Sequence, residues 1–218
     1  MIVFDGYDEN STKDMTHVRH SKGKKGVSVT FTADMNLTIS KEDFLTNNLN
    51  KKQFVSLLSR QLESTGSNMF MAKADADLLI VNKAIEAAET RNTVLVGEDT
   101  DLLVLLLHHL LPLENKIYFA PGLKKNATGR VWDIKQIQSD LESFTCKHLL
   151  FLHAFLGCDT TSRIYGIGKG SILKKFKDSV CLQQAAIIFN DPNSTHSQVQ
   201  DAGEKALVAI YGGSRLKI

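Results

Sequence analysis

The sequence predicts an α/β fold, with a parallel sheet and a helical C-terminal part. Three observations carry this. Short apolar runs suited to buried strands alternate with segments of helical period over the first two thirds of the chain. Two of those runs, at 2–4 and 93–96, end directly on Asp5-Gly6 and on Gly97-Glu98-Asp99. The last third carries helical periodicity alone.

Each element follows from its pattern. Ile2-Val3-Phe4 reads as a buried strand ending on an aspartate. Residues 8–26 are polar and mostly basic, and V-S-V-T-F-T at 27–32 alternates as a half-exposed strand is expected to. Residues 33–50 give no clear signal. Phe54, Leu57, Leu58 and Leu62 recur at helical spacing, predicting a helix over 51–64 broken by Gly66-Ser67-Asn68. Leu78, Leu79, Val81, Ala84, Ile85 and Ala88 predict a helix over about 74–90. Thr93–Val96 suits a central parallel strand, followed by a helix over about 101–110 and a strand over 116–120. Gly122–Gly129 reads as a loop and Val131-Trp132 as extended chain, with Asp133 able to cap a helix to about 142. Cys146–Leu156 is an apolar helix ending at Gly157. A turn at Tyr165–Gly170 precedes helices over 171–176, 179–189 and 198–211.

The composition bounds the function. A chain of 218 residues is one domain or a domain with an appendage. It is 43% hydrophobic and 23% charged, which is globular composition. Lys and Arg number 26 against 24 Asp and Glu, so a histone-like polycation is excluded but a local basic patch is not. Cys146, Cys158 and Cys181 form no C-x-x-C pair, which argues against a disulfide framework and for a reducing compartment. The first residues carry no basic segment followed by an apolar one, so no signal peptide is expected. The longest apolar run, Leu102–Leu113, is too short to span a bilayer. The expectation is a soluble, intracellular protein with no membrane partner.

Carboxylates recur at element ends: Asp5 after the first strand, Asp75 and Asp77 at a helix start, Asp99 and Asp101 after a strand, and Asp159 after an apolar helix. Ligand sites in open α/β sheets form outside the carboxyl ends of the strands, where Asp5, Asp99 and Asp101 would converge. Gathered carboxylates repel one another unless cations neutralise them, and Mg²⁺ or Mn²⁺ suits all-oxygen ligands. Two such ions roughly 4 Å apart stabilise the attacking and leaving oxygens of a phosphodiester substitution. Taken singly, an aspartate at a helix start is a cap and one after a strand is a turn residue.

The motifs in order are Val3-Phe4-Asp5-Gly6, Ala74-Asp75-Ala76-Asp77, Glu98-Asp99-Thr100-Asp101 and Leu156-Gly157-Cys158-Asp159, with Tyr165-Gly166-Ile167-Gly168 beyond. This series resembles the flap endonuclease / XPG-like nucleases of the PIN-like superfamily over roughly residues 1–178. The resemblance implies a PIN-like three-layer fold with a mostly parallel central sheet. It assigns 1–160 to a nuclease core and 161–218 to a helical part with a helix–two-turns–helix-like element. Asp5, Asp75, Asp77, Asp99, Asp101 and Asp159 would hold two Mg²⁺ or Mn²⁺ ions. A metal-bound hydroxide would attack a phosphodiester in DNA or RNA, branched or single-stranded. Gly166, Ile167 and Gly168 would form the hairpin that holds duplex phosphates with a K⁺ ion. Lys169, Lys174 and Lys175 would add backbone contacts, and Lys13 and Arg19 would stabilise the scissile phosphate. A DNA substrate would imply the nucleus.

The chain departs from the family in two ways. Both acids of the A-D-A-D motif are aspartates, where the family has E-A-E/D. The family also has an earlier strand with a further metal-ligand aspartate, and V-F-D-G begins here at residue 3, so that strand is expected to be missing and the chain to be incomplete. Two alternatives therefore stay open: a catalytically inactive nucleic-acid-binding PIN-like module, and a protein-interaction scaffold whose acids cap helices. The remaining polar signals read as structural. His17 and His20 are expected at the surface, His108 and His109 as helix residues, Trp132 in packing, and Cys158 buried.

Overall fold

The computed structural model describes residues 1–6, 26–73, 75–110, 112–122, 131–158 and 161–212. The described residues form a mixed α/β structure rich in helix, with small sheets that include a parallel strand pair. They divide into two compact units, Met1–Ile80 and Val81–Ile218.

In the first unit, strand β1 (Ile2–Phe4) pairs in parallel with β2 (Met69–Met71), Val3 opposite Phe70. Parallel strands need a long crossover. Here it includes helices α1 (Lys41–Leu45) and α2 (Asn48–Ser64), and α2 packs on β2. Ser40 and Asn47 cap the two helices through side-chain oxygens, as their residue types favour. Phe44 anchors the interior, with the Phe31 and Phe54 rings edge-on at 5.1 and 6.3 Å.

Residues 27–32 are not a strand. Side chains of α2 replace a strand partner: the Val29 amide donates to Asn50 Oδ1, Asn50 Nδ2 donates to Val27 O, and Gln53 Nε2 donates to Phe31 O. The alternation of V-S-V-T-F-T reports extended backbone, but a ladder needs a second backbone and none pairs with it among the described residues. Strand β2 carried no sequence signal, because M-F-M is short and has no β-branched residue.

Helix α3 (Asp77–Ala88) carries the chain into the second unit. There β3 (Thr93–Val96) pairs in parallel with β4 (Ile117–Ala120), and β4 pairs antiparallel with β5 (Trp132–Asp133). Between β3 and β4 runs α4 (Thr100–His109). Trp132 stacks on Phe119 with centroids 5.9 Å apart, a packing role. Asp133 caps α5 (Ile134–Leu141) by accepting from the Gln136 amide.

The predicted 146–156 helix is two helices, α6 (Ser143–Lys147) and α7 (Leu149–Leu156), separated at His148. The C-terminal helices are α8 (Lys169–Asp178), α9 (Val180–Asn190) and α10 (His196–Tyr211). Thr195 and Gln198 form a reciprocal capping box at the start of α10. Phe151, Leu152 and Leu156 of α7 share one core with Ile172 and Phe176 of α8, Leu182 of α9 and Ala206 and Ile210 of α10. Full burial of each large side chain contributes roughly 1.5–3 kcal/mol, so α7 is fixed firmly against the C-terminal helices. No described helix is long and apolar enough to cross a membrane.

Candidate metal and phosphate site

Asp5, Asp75 and Asp77 follow the first parallel strand pair, and Glu98, Asp99 and Asp101 follow β3 of the second. In the first unit, Asp5 follows β1 and Oδ1 accepts a hydrogen bond from the Ala76 amide at 3.1 Å. The Asp5 carboxylate is thereby held on the backbone between Asp75 and Asp77. Gly6 makes that approach possible. A Cβ there would lie 2.2 Å from Lys73 O and 2.3 Å from Ala72 O, so only glycine lets the two post-strand segments touch. Asp75 Oδ1 accepts from the Asp77 amide at 3.0 Å, turning the chain into α3. Asp5 and Asp75 are exposed and Asp77 is half-buried.

The second unit repeats the device. Asp99 caps α4, its Oδ1 accepting from the Asp101 amide at 3.0 Å. D-A-D and D-T-D therefore form the same turn: the first aspartate binds the amide of the second. This local bond explains why an aspartate is favoured at each first position. It leaves the second carboxylate of each pair, on Asp77 and Asp101, in the first turn of a helix whose dipole favours negative charge. Glu98 lies against Gly122, just past β4; a Cβ on Gly122 would be 2.6 Å from Glu98 Oε1. Glu98, Asp99 and Asp101 thus follow β3 at the carboxyl end of the β3–β4 pair, with Glu98 reaching across to its neighbour.

Asp101 has a partner that sequence reasoning missed. His153 Nε2 of α7 lies 2.9 Å from Asp101 Oδ1. The ring nitrogen is not well aligned on that oxygen: it is buried and makes no geometrically satisfactory hydrogen bond among the described residues. The contact is therefore an electrostatic approach rather than a directed bond. His153 Nδ1 lies 3.2 Å from Lys169 Nζ. The available signal was that His153 is the one polar residue in the α7 sequence L-L-F-L-H-A-F-L.

Past α7, Gly157 turns the chain with φ 104°, and a Cβ on it would meet Arg163 Cα at 2.5 Å. Thr161, also missed, pins this turn. Its hydroxyl accepts from the Cys158 amide at 3.0 Å and donates to Ala154 O at 2.7 Å. Cys158, expected to be buried, is half-buried, with its sulfur 3.3 Å from that hydroxyl. Cys146 is buried, and burial raises its thiol pKa.

At the hairpin, Gly166 has φ 74° and Gly168 is the N-cap of α8. The Ile167 side chain packs against the α7–α10 core while Gly166 and Gly168 are exposed. Gly168 caps α8 with no side-chain acceptor, and its carbonyl accepts from the Ser171 amide at 3.1 Å. Lys174 is exposed. Lys175 is drawn elsewhere: Nζ donates to Ile210 O at 2.8 Å, capping the end of α10. Lys13, Arg19, His17, His20, Ala74, Asp159 and the loop over 123–129 lie outside the described residues.

Among the described residues no three His, Cys, Asp or Glu side chains form a group that could hold a metal ion. No protein-family model, curated protein or solved structure matches the chain.

Proposed function

We propose that the chain is a PIN-like, flap-endonuclease-like nuclease that hydrolyses phosphodiesters in DNA or RNA through two divalent ions. The observation that carries this reading is the repeated aspartate turn. Asp75-Ala76-Asp77 and Asp99-Thr100-Asp101 each follow the carboxyl end of a parallel strand pair and lead into a helix through one 3.0 Å bond. Asp5 is held beside the first turn and Glu98 belongs to the second. Carboxylates at strand ends are the natural ligands of Mg²⁺ or Mn²⁺, and Asp159 would complete the set from the G-C-D segment. Where ions bind there, they supply Lewis-acid stabilisation of a phosphoryl oxygen and an activated water. In this reading the fold is the family's three-layer PIN-like one, with Asp5, Asp75 and Asp77 serving as ion ligands in the first unit and Asp99 and Asp101 in the second. The hairpin over Gly166–Gly168 and the amides opening α8 receive a backbone phosphate, helped by Lys169 and Lys174 and by a K⁺ ion. Lys13 and Arg19 are assigned the role of stabilising the scissile phosphate. Lys175 is better assigned to capping α10.

A second reading, nucleic-acid binding without hydrolysis, is favoured by one observation: Asp101 already has His153 against its carboxylate.

The two separate in one experiment. The chain is incubated with branched and single-stranded DNA and RNA in Mg²⁺, in Mn²⁺ and in chelator, while retention of the same nucleic acids is followed against salt. Metal-dependent cleavage supports the nuclease. Salt-sensitive retention with no cleavage in either metal supports the binding module. Neither cleavage nor retention leaves the interaction scaffold.

A further inference from the structure

We propose that the open edge of β3 is a self-association surface. A second copy of this chain lays its own β3 there, antiparallel, and joins the two sheets into one. The inference goes beyond the nuclease reading and does not depend on it. All of its residues lie in the second unit.

The strand order β3-β4-β5 puts β3 at one edge of the sheet and β5 at the other. An edge strand is a template for another chain, and proteins ordinarily blunt it with shortness, charge or proline. β5 is blunted in this way. It has two residues, and its Asp133 lies 2.8 Å from Lys116 Nζ. β3 is not blunted. It reads T-V-L-V, with neither charge nor proline, and Val94 and Val96 are 55% and 65% exposed. The same two valines have their backbone groups turned outward. The Thr93 and Gly97 amides donate to Lys116 O and Ala120 O at 2.9 and 3.0 Å, so these alternate positions serve β4. Val94 and Val96 therefore present their amides and carbonyls to the open edge, where no strand pairs with them among the described residues.

Two features make a second copy the occupant. The first is register. With an antiparallel copy related by a two-fold axis at Leu95, Val94 of each copy faces Val96 of the other. Such a pair exchanges both of its backbone hydrogen bonds, so every outward group of Val94 and Val96 is satisfied in both copies. The valines, which share one face of the sheet, then lie side by side across the axis. The second is charge. Arg91 precedes the strand and Glu98 and Asp99 follow it, all three exposed. An antiparallel copy sets the basic end of each strand beside the acidic end of the other, twice by symmetry. A parallel copy would set like charges together. With strands of four residues the contact is small beside the ~1,200 Å² of a standard interface, so the dimer forms reversibly with concentration.

The test uses the full chain. Sedimentation velocity over a concentration series should show a reversible monomer–dimer equilibrium that added salt weakens. Hydrogen exchange at the Val94 and Val96 amides should slow as the dimer forms. Val96→Lys and Val94→Pro should each weaken association at least about tenfold. Both positions are exposed and their outward groups take no part in the β3–β4 ladder, so circular dichroism should show folding retained; Val96→Lys carries the test if the proline disturbs the strand. Cysteine pairing reads the register. Val94→Cys mixed with Val96→Cys should form a disulfide between positions 94 and 96, which lie roughly 5.5 Å apart at Cα in such a pair, and neither variant alone should link through its new cysteine. A monomer at every concentration overturns the proposal, whether the edge amides exchange freely or another part of the chain protects them. So does a dimer undiminished by Val96→Lys, or one that links position 94 to position 94.

Discussion

The Asp5 carboxylate accepts a hydrogen bond from the Ala76 amide, 71 residues away in sequence, and so ties the end of β1 to the A-D-A-D segment after β2. Capping and ion binding ask different things of this residue. Asn keeps the oxygen acceptor and removes the charge. Asp5→Asn is therefore expected to change stability by less than about 1 kcal/mol while weakening Mn²⁺ binding. Gly6→Ala is expected to cost about 1–3 kcal/mol, because the added methyl meets two backbone carbonyls that cannot swing aside. Urea unfolding of both variants beside Mn²⁺ titration checks the pair. A strongly destabilised Asp5→Asn would mean the charge, not the acceptor, holds the two segments.

Asn50 is 1% exposed and serves three backbone groups: it donates to Val27 O and Phe44 O and accepts from the Val29 amide. Asn50→Ala should cost about 1–3 kcal/mol by stranding those groups. Asn50→Asp should cost more, since it turns a carboxylate toward two carbonyl oxygens in a buried site. The order of the two variants in urea midpoint is the readout.

Thr161→Val removes the hydroxyl that joins the Cys158 amide to Ala154 O. The expected cost is about 0.5–1.5 kcal/mol, and Thr161→Ser should recover most of it. Hydrogen exchange at the Cys158 amide should quicken in the valine variant alone. Unchanged exchange would remove Thr161 from the turn.

His148 is buried, ringed by Phe144 and Phe176, and its Nδ1 lies 2.8 Å from the Asn190 amide nitrogen. Burial first, then the neighbouring charges of Lys147 and His108, lower its pKa below the ordinary 6.5. The unfolded chain therefore takes up a proton more readily than the folded one. Stability from this group is complete above about pH 6.5 and is lost as pH falls from there toward the lowered folded value. His109, lowered by burial and by His108, adds to the loss with the same sign. Urea midpoints at pH 7.5 and 5.5 should differ less in His148→Gln than in the unsubstituted chain. An equal difference would assign the acid sensitivity elsewhere.

Legibility in the sequence followed how local the cause was. Asp133 was readable as a helix start because a cap bonds to an amide three residues on. The helices containing Leu57, Val81, Leu106 and Ile210 were readable from period alone. Nonlocal causes were not. The 27–32 segment has the alternation of a strand, but its hydrogen bonds come from Asn50 and Gln53, and nothing in its own residues says so. At the break, His148 meets Asn190, 42 residues away, a partner that no local pattern announces. In the candidate site the aspartate turns were legible as motifs, since each is closed by its own second residue. His153 was not, because its importance arises from Asp101 on another helix and Lys169 on a third.

The proposed hydrolysis depends on the carboxylates of both aspartate turns. The most direct test compares Asp75→Asn/Asp77→Asn with Asp99→Asn/Asp101→Asn, since asparagine keeps the turn-closing acceptors while removing charge. Cleavage of a branched DNA or RNA substrate is measured in Mg²⁺ and Mn²⁺, alongside urea unfolding of each variant. The account predicts cleavage by the unsubstituted chain that chelator stops, and a loss of at least about 100-fold in either double variant with folding retained. Full cleavage by either folded double variant, or no cleavage by the unsubstituted chain in both metals, would contradict it.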